Sequence, residues 1–242
     1  MDFLQQDFVI RPHEAGPEGT LRLAPLFDLF QDAAAEHAGR LGCGMEFLKT
    51  RSLLWVLSRM ALQIGRMPRI GEKVTVLTYP SGVERLFALR QFTVRDASGQ
   101  NIARASSCWL LLASDTFRPK RVEENLGVAL PLNPDKPRHF PVPDKIVMPE
   151  SGGVSFPVTV RASQIDVNGH LNNAFFAAFV HDMFGELTGE NRPPKTLQIL
   201  FLHAGSIGCT IVCRGVLSGD RYQLEGRSPD GKILYFQADG IC

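Results

Sequence analysis

Residues 173–187 read NAFFAAFVHDMFGEL, and their apolar side chains would cover most of the circumference of a helix. The apolar positions are Ala174, Phe175, Phe176, Ala177, Ala178, Phe179, Val180, Met183 and Phe184. A helix that is apolar on nearly every side cannot face water and must be enclosed. The neighbouring segments are therefore expected to form a surface that wraps around it.

Strand-like segments flank this helix in the sequence. One strand is predicted before it at 154–161, and four are predicted after it near 196–203, 209–216, 222–227 and 233–238. The second half of the chain thus has the order strand, helix and four strands. An antiparallel sheet of this size can curve around one helix and bury it.

The first half of the chain repeats this order. An extended start at 8–10 precedes apolar residues at helical spacing between Leu26 and Leu41. Four strands are then predicted at 53–65, 73–79, 85–95 and 102–113. Turn residues separate them, among them Ser81-Gly82. Gly71 and Gly208 each open the second long strand of their half, which supports an internal duplication.

These patterns predict an α+β fold, a tandem (double) hotdog in which each long helix is wrapped by a curved antiparallel sheet. The two sheets are expected to join as they would in a dimer, so that no long bare edge lies between them. We place the first repeat at 1–121 and the second at 154–242. Between them, 122–153 is predicted to be a linker, since prolines recur there among polar residues with little periodicity.

Composition narrows the class of protein. The formal net charge of +1 gives no overall attraction for nucleic acid. Five cysteines without ligand spacing indicate reduced thiols, and no metal or cofactor is expected. The first residues lack the pattern of an export signal, and no segment reaches the ~20 apolar residues that span a bilayer. We therefore expect a soluble, cytoplasmic protein that does not bind membranes.

The polar residues before the apolar helix are the candidate catalytic site. In an extended segment, residues two apart point to the same side, so Asp166, Asn168 and His170 are expected to converge on one pocket. His170 suits a general base, Asn168 could position water, and Asp166 could orient an imidazole. Asn172 or Asn173 could cap the helix, whose first N–H groups would stabilise an oxyanion. The alternative is that these residues form only a turn and a cap.

At this point the chain resembles the acyl-acyl-carrier-protein (acyl-ACP) thioesterase family. The second half is similar at 166–173, DVNGHLNN, which matches an Asp-x-Asn-x-His-x-Asn-Asn signature. The first half is similar at 54–60, LWVLSRM, at 66–72, RMPRIGE, and at 104–109, RASSCW. The resemblance implies that Asp166, Asn168 and His170 correspond to the catalytic residues of the family.

The resemblance further implies that the second repeat hydrolyses the thioester of fatty acyl-ACP and releases free fatty acid, while the first repeat holds the acyl chain. Candidate neighbours of the acyl group are Trp55, Arg59, Phe30, Met60, Asn172 and Asn173. The carrier protein is acidic, so a basic docking surface is expected. Its candidate residues are Arg118, Lys120, Arg121, Lys136 and Arg138.

One departure from the family stands out. The family usually places a glutamate on the strand after the catalytic helix, and the alignment puts Ala204 at that position, with His203 as a candidate replacement. Two alternatives therefore stay open, an acyl-CoA thioesterase and a non-catalytic acyl-binding protein. A hotdog hydratase would call for Asp-x-Asn-Pro-x-His, one residue longer than the spacing here. The sequence also leaves a homodimer open.

Overall fold

The computed structural model describes residues 2–242. The first repeat contains β1 (Leu4–Val9), α1 (Leu23–Arg40), α2 (Met45–Lys49), β2 (Leu53–Ile64), β3 (Lys73–Glu84), β4 (Phe87–Asp96), β5 (Asn101–Ala113), β6 (Pro119–Lys120) and α3 (Val122–Asn125). The second contains β7 (Val154–Thr159), α4 (Asn173–Thr188), β8 (Thr196–Phe201), β9 (Thr210–Ser218), β10 (Arg221–Arg227) and β11 (Leu234–Ile241).

The strands form one continuous antiparallel sheet with the order β1-β3-β4-β5-β2-β8-β11-β10-β9-β7, and β6 pairs with β5. The repeats join where β2 pairs with β8, from Arg59 opposite Leu200 to Gln63 opposite Thr196. The predicted tandem hotdog, with its two sheets joined as in a dimer, is therefore confirmed. One local prediction was wrong, because Ser81-Gly82 is not a turn but lies inside β3, where the register shifts between Pro80 and Val83.

Helices α1 and α4 lie on the inner face of the sheet and pack against each other. Their buried side chains form one main core with the inner residues of both halves. Phe176 of α4 shows how α4 is held, since its ring lies 5.8 Å from that of Phe201 and 5.4 Å from that of Phe236. Aromatic pairs at such distances favour a fixed arrangement of helix on sheet. Among the described residues, no helix is long and apolar enough to cross a membrane.

The two repeats match residue by residue before their helices. A short 3-10 turn, at Pro12–Glu14 in one and Ala162–Gln164 in the other, leads into a turn closed by a β-bridge. The bridges are Ala15 to Leu21 and Ile165 to Leu171. The equivalent glycines, Gly19 and Gly169, have φ of +70° and +79°. Glycine is favoured there because this left-handed conformation is strained for other residues.

The proline-rich stretch 133–152 crosses the outer face of the sheet as a strap. Its contacts follow the strand order as the residue numbers rise. They are hydrogen bonds between a strap residue and a strand residue. In chain order the pairs are Asn133 with Pro80, His139 with Gln91, Phe140 with Ser106, Pro143 with Arg59, Asp144 with Gln198, Val147 with Gln223 and Pro149 with Arg214. Most of these bonds reach backbone groups of the strap. The strap therefore ties both repeats together on the side of the sheet opposite the helices.

Two predicted docking residues belong to this strap. Lys136 Nζ donates to Asn133 Oδ1 at 2.9 Å, and Arg138 Nη2 donates to the Ser81 carbonyl at 2.6 Å. The Lys136 bond lies within the strap, but the Lys136 Nζ also lies 5.7 Å from the centre of the Tyr79 ring on β3. Both cations therefore help to hold the strap on β3. Arg118 and Lys120, in contrast, are exposed and have no carboxylate within ion-pair distance in the part of the chain that the structure describes.

Candidate active site

The carboxylate of Asp166 organises the turn that precedes α4. Its Oδ1 accepts from the backbone N–H of Asn168 at 2.8 Å and of His170 at 3.3 Å. The backbone closes the same turn, because Asp166 N–H donates to the His170 carbonyl at 2.8 Å and Gly169 N–H to the Asp166 carbonyl at 3.0 Å. A short side chain that binds the backbone two residues on is typical of an Asx turn.

The segment is therefore not extended, and the prediction that alternation along a strand would bring these side chains together was wrong. The tip of the turn faces solvent, with Val167 84% exposed and Asn168 and Gly169 also exposed. Asp166 and His170 are half-buried at its base. The structure brings the three predicted residues onto one turn. Within residues 2–242, the bonds that join them run from the Asp166 carboxylate to the N–H groups of Asn168 and His170 and from the Asp166 N–H to the His170 carbonyl.

The start of α4 is capped by Asn172, as one of the two predicted alternatives had it. Asn172 Oδ1 accepts from Ala174 N–H at 3.0 Å, and the Asn172 carbonyl accepts from Phe175 N–H at 2.9 Å. These two N–H groups are occupied. Among residues 2–242, the N–H of Asn173 has no acceptor, so it is the donor at this helix start that could meet an oxyanion.

The first repeat contributes to this site through two residues that the sequence analysis missed. The ring of Phe117, in the turn after β5, lies 5.8 Å from the His170 imidazole at an angle of 60°. Gln31 of α1 donates from Nε2 to Asn172 Oδ1 at 3.2 Å. Both contacts join residues far apart in the sequence, so no local periodicity could have revealed them. The site therefore lies between the repeats.

Ala204, the position that the sequence analysis aligned with a glutamate of the family, lies beside the turn. Its neighbour Gly205 accepts from the Leu171 N–H at 2.9 Å, which brings the segment after β8 against the base of the turn. Ala204 and His203 are both exposed, and His203 Nδ1 is 2.9 Å from the Leu234 carbonyl. A side chain at 204 would thus stand next to the candidate site, with room for something larger than a methyl group.

A carboxyl with an altered pKa lies across from the start of α4. Asp28 of α1 is 3.5 Å from the Gln31 amide that also binds Asn172. Although Asp28 reaches solvent, partial burial between the helices raises its pKa to about 6, helped by the nearby negative charges of Asp32 and Glu14. A carboxyl of this kind is partly protonated near neutral pH.

The structure separates the predicted acyl-binding residues. Phe30 and Met60 are each 1% exposed in the main core, and the Phe30 ring lies 4.8 Å from that of Phe92. Trp55 instead packs on a second apolar cluster and donates to the Cys43 carbonyl at 3.1 Å. Arg59 donates to the Pro143 carbonyl of the strap and lies over the Phe87 ring. Asn173 is the first residue of α4.

The second apolar cluster lies at the end of the first repeat that faces the candidate site. Its buried members are Cys43, Leu48, Leu53, Ala88, Leu111, Val122 and Leu126. The short helices α2 and α3 supply Leu48 and Val122. The segment 114–122 connects it to the turn, because Phe117 touches His170 while Val122 enters the cluster.

Two cavities lie under the strap. One, of about 180 Å³, is bounded by residues such as Gln91, Cys108 and His139, and the other, of about 390 Å³, by residues such as Met148, Glu225 and Gln237. Neither is lined by Asp166, Asn168 or His170. Within the described part of the chain, no group of three or more His, Cys, Asp or Glu side chains is arranged to hold a metal ion.

Comparison with known proteins relates both halves to one family. The family model of the acyl-ACP thioesterase N-terminal domain matches residues 2–129, and that of the C-terminal domain matches residues 151–215. A chloroplastic acyl-[acyl-carrier-protein] hydrolase of Cuphea viscosissima is 25% identical over 80% of this chain and 48% of its own length. A chloroplastic palmitoyl-acyl carrier protein thioesterase of Arabidopsis thaliana is 29% identical over 73% and 46%. The chain spans about half the length of these relatives.

Solved structures share the fold along nearly the whole chain. An acyl-ACP thioesterase from Bacteroides thetaiotaomicron superposes with a TM-score of 0.86 at 24% identity, covering 99% of this chain and 97% of that one. A 12:0-ACP thioesterase from Umbellularia californica gives 0.79 at 20% identity, with coverage of 98% and 95%. Since the N-terminal family model alone covers more than half of the sequence and the C-terminal model follows it in order, this protein belongs to the acyl-ACP thioesterase family.

Proposed function

We propose that this protein hydrolyses the thioester of a fatty acyl-acyl-carrier protein at the turn 165–171 and releases free fatty acid. The observation that carries the proposal is the contact between His170 and Phe117. This contact places His170, the candidate base of the second repeat, against the first repeat. It also places His170 near the second apolar cluster, which could receive an acyl chain. Family membership supplies the class of substrate.

In the proposed reaction, His170 takes a proton from a water molecule positioned by Asn168, and the resulting hydroxide attacks the thioester carbon. The carbonyl oxygen becomes negative and meets the Asn173 N–H at the positive end of α4. The tetrahedral intermediate then collapses, the carbon–sulfur bond breaks, and the thiol of the carrier leaves with the proton from His170. Asp166 holds the turn so that His170 and Asn168 keep their positions.

The acyl chain is proposed to enter the second apolar cluster, with Trp55 along its path. Helices α2 and α3, which close this cluster, have five and four residues. Elements this short are stabilised mainly by their packing, so they can yield when a ligand enters. Phe30 and Met60, both in the main core, would then lie beyond the chain.

The carrier protein is proposed to dock at the mouth of the site. Arg118 and Lys120 follow Phe117 directly, are exposed and carry the positive charge that an acidic partner needs. Lys136 and Arg138 are left out, because their side chains hold the strap.

The experiment is hydrolysis of acyl-ACP and of acyl-CoA, assayed side by side, by the wild type and by His170→Ala and Asn168→Ala. We expect either variant to lose about 10²–10⁴ in rate, the usual contribution of a general base, with little change in thermal unfolding. Full activity in both variants would refute the site. A wild type that binds fatty acid without hydrolysing either thioester would instead indicate an acyl-binding protein, which the alanine at 204 would explain.

A further inference from the structure

A positively charged side chain is buried inside the first repeat. Arg90 of β4 is 8% exposed and points to the inner face of the sheet. Its Nη1 donates to His37 Nδ1 at 3.0 Å and to Thr78 Oγ1 at 3.2 Å. Among residues 2–242, no carboxylate lies within ion-pair distance of it. Burial lowers the pKa of Arg90 to about 10, because a cation held away from water loses hydration.

Arg90 separates the two apolar clusters of the first repeat. On β4, Ala88 belongs to the second cluster and Phe92 to the main core, and both point to the same face as Arg90. In register with Arg90 lies Ser107 of β5, whose hydroxyl accepts from Trp109 Nε1 at 2.8 Å. We call the side chains of Arg90, His37, Thr78 and Ser107 the polar layer.

The polar layer lies at a fixed depth from the candidate site. Along β5, inward-facing residues alternate from Ala113, beside the turn that carries Phe117, through Leu111 and Trp109 to Ser107. Six residues of strand at ~3.3 Å each give a depth of about 20 Å. The inward-facing residues of β5 before Ser107 are apolar, and the polar layer comes next.

We propose that the polar layer, and Arg90 above all, is the floor of the acyl site and sets the longest chain that the protein accepts. This inference rests on the proposed function. A methyl terminus pressed against a guanidinium would strip it of its remaining polar surroundings without offering an acceptor, which is unfavourable. A chain that stops at Trp109 pays no such penalty, and a longer chain cannot continue toward Phe30 and the main core.

The test is the chain-length profile of Arg90→Met, a variant that replaces the cation with an apolar side chain of similar length. Initial rates are measured on saturated acyl-ACPs from octanoyl to stearoyl. We expect the profile to move toward longer chains. For the shortest chain that the wild type excludes, the rate divided by the rate on the substrate that the wild type prefers should rise about tenfold, as burial of two further methylenes would give. Arg90→Lys keeps the charge and should retain the wild-type profile.

The matched control is Arg104→Met. Arg104 lies on β5 near Ser107, but on the exposed outer face, where it contacts Gln63 and the Phe140 ring. Its substitution should leave the profile unchanged. An Arg90→Met protein that folds and keeps the wild-type profile would overturn the proposal.

A binding measurement keeps the test independent of hydrolysis. Both tryptophans of the chain, Trp55 and Trp109, pack on the second cluster, so their emission should respond to fatty acids that enter it. In wild type and in His170→Ala, affinity should rise with chain length up to a limit. At that limit an ω-hydroxy fatty acid should bind more tightly than the unsubstituted acid, because its hydroxyl can accept from Arg90.

The outcomes separate the two proposals. If fatty-acid affinity stops rising at a limiting chain length but no acyl-ACP is hydrolysed, the proposed activity is wrong and the role of Arg90 as the floor stands. Two results would contradict the role of Arg90 as the floor and leave the proposed activity standing. One is hydrolysis together with a fatty-acid affinity that keeps rising with chain length and shows no limit. The other is hydrolysis with no preference for the ω-hydroxy acid. The wild-type arms decide the question even if Arg90→Met does not fold.

Discussion

Gln31 and Asn172 are joined by a hydrogen bond of 3.2 Å from Nε2 to Oδ1, which links the helix of one repeat to the helix cap of the other. The same Asn172 oxygen accepts from Ala174 N–H at 3.0 Å. One carboxamide oxygen thus fixes both the start of α4 and the side of α1 that faces it. The position of the turn before α4 therefore depends on a residue of the first repeat.

Replacing Gln31 with alanine should lower kcat by about three- to tenfold, since loss of one hydrogen bond costs roughly 0.5–1.5 kcal/mol. The cap keeps its bond to Ala174, so the protein should still fold. Steady-state kinetics and urea unfolding measure the two effects. Gln100→Ala, at an exposed glutamine after β4, is the control and should change neither quantity.

Asp166 can be tested for charge and for structure separately. Asp166→Asn keeps the Oδ1 acceptor of the turn, so its free energy of unfolding should stay within about 0.5 kcal/mol of the wild type. Asp166→Ala removes that acceptor and should lose about 1–2 kcal/mol. Urea unfolding compares the variants, and acyl-ACP turnover is measured in parallel. If Asp166→Asn were as unstable as Asp166→Ala, the turn would need the charge.

Placing a carboxylate at position 204 should raise the rate several-fold. Ala204 is exposed and adjoins the Gly205–Leu171 hydrogen bond, so Ala204→Glu can be accommodated beside the turn that carries His170. A carboxylate there would orient an imidazole or a water molecule. Turnover of acyl-ACP is the measurement, and Ser206→Glu, at an exposed residue of the same segment, controls for the added charge. Equal rates in both variants would show that position 204 has no special place.

The Asp28 carboxyl should make stability fall as pH rises. Its pKa is raised to about 6 from an ordinary value of 3.8, so the folded protein holds the proton more tightly than the unfolded chain between these values. The stability gained by protonation is therefore lost between about pH 4 and 6. We expect Asp28→Asn to melt at a higher temperature than the wild type at pH 7.5, and the difference to disappear at pH 4. Thermal unfolding at both pH values tests this, and a constant difference would contradict it.

The strap should contribute measurably to stability. Tyr79 donates its hydroxyl proton to the Pro137 carbonyl at 2.6 Å from a side chain that is 1% exposed. Tyr79→Phe keeps the ring and removes this bond, which should cost about 1 kcal/mol of unfolding free energy. Urea unfolding is the measurement, with an unchanged slope indicating that the folded and unfolded states are otherwise the same. No loss would mean that the strap is held without this contact.

The sequence predicted the elements whose pattern is local. The apolar positions of α4 repeat at helical spacing, and Asn172 caps it as the polar residue next to an apolar run often does. A glycine inside a short polar turn is the same kind of local signal. Gly169 has a φ of +79°, and no atom lies within 4 Å of an added Cβ there, so the φ and not close approach accounts for the glycine. These features depend on a few neighbouring residues, which one sequence is enough to show.

Contacts between distant parts of the chain could not be predicted in this way. Phe117 meets His170, and Gln31 meets Asn172, only because the repeats pair through β2 and β8. The strap has no periodicity of its own, since its path is set by bonds to successive strands. Arg90 looked like an ordinary charged residue of a strand, and its burial depends on α1 packing over the polar layer.

A strap that ties two repeats into one molecule has a consequence for evolution. In a symmetric dimer, every substitution appears in both sites at once, so a change that suits one site must be tolerated by the other. Here Gly16, Glu18 and Thr20 stand where the second repeat has Asp166, Asn168 and His170. Because the two repeats are part of one chain, each can change independently. The motif can therefore be lost from the first repeat and kept in the second.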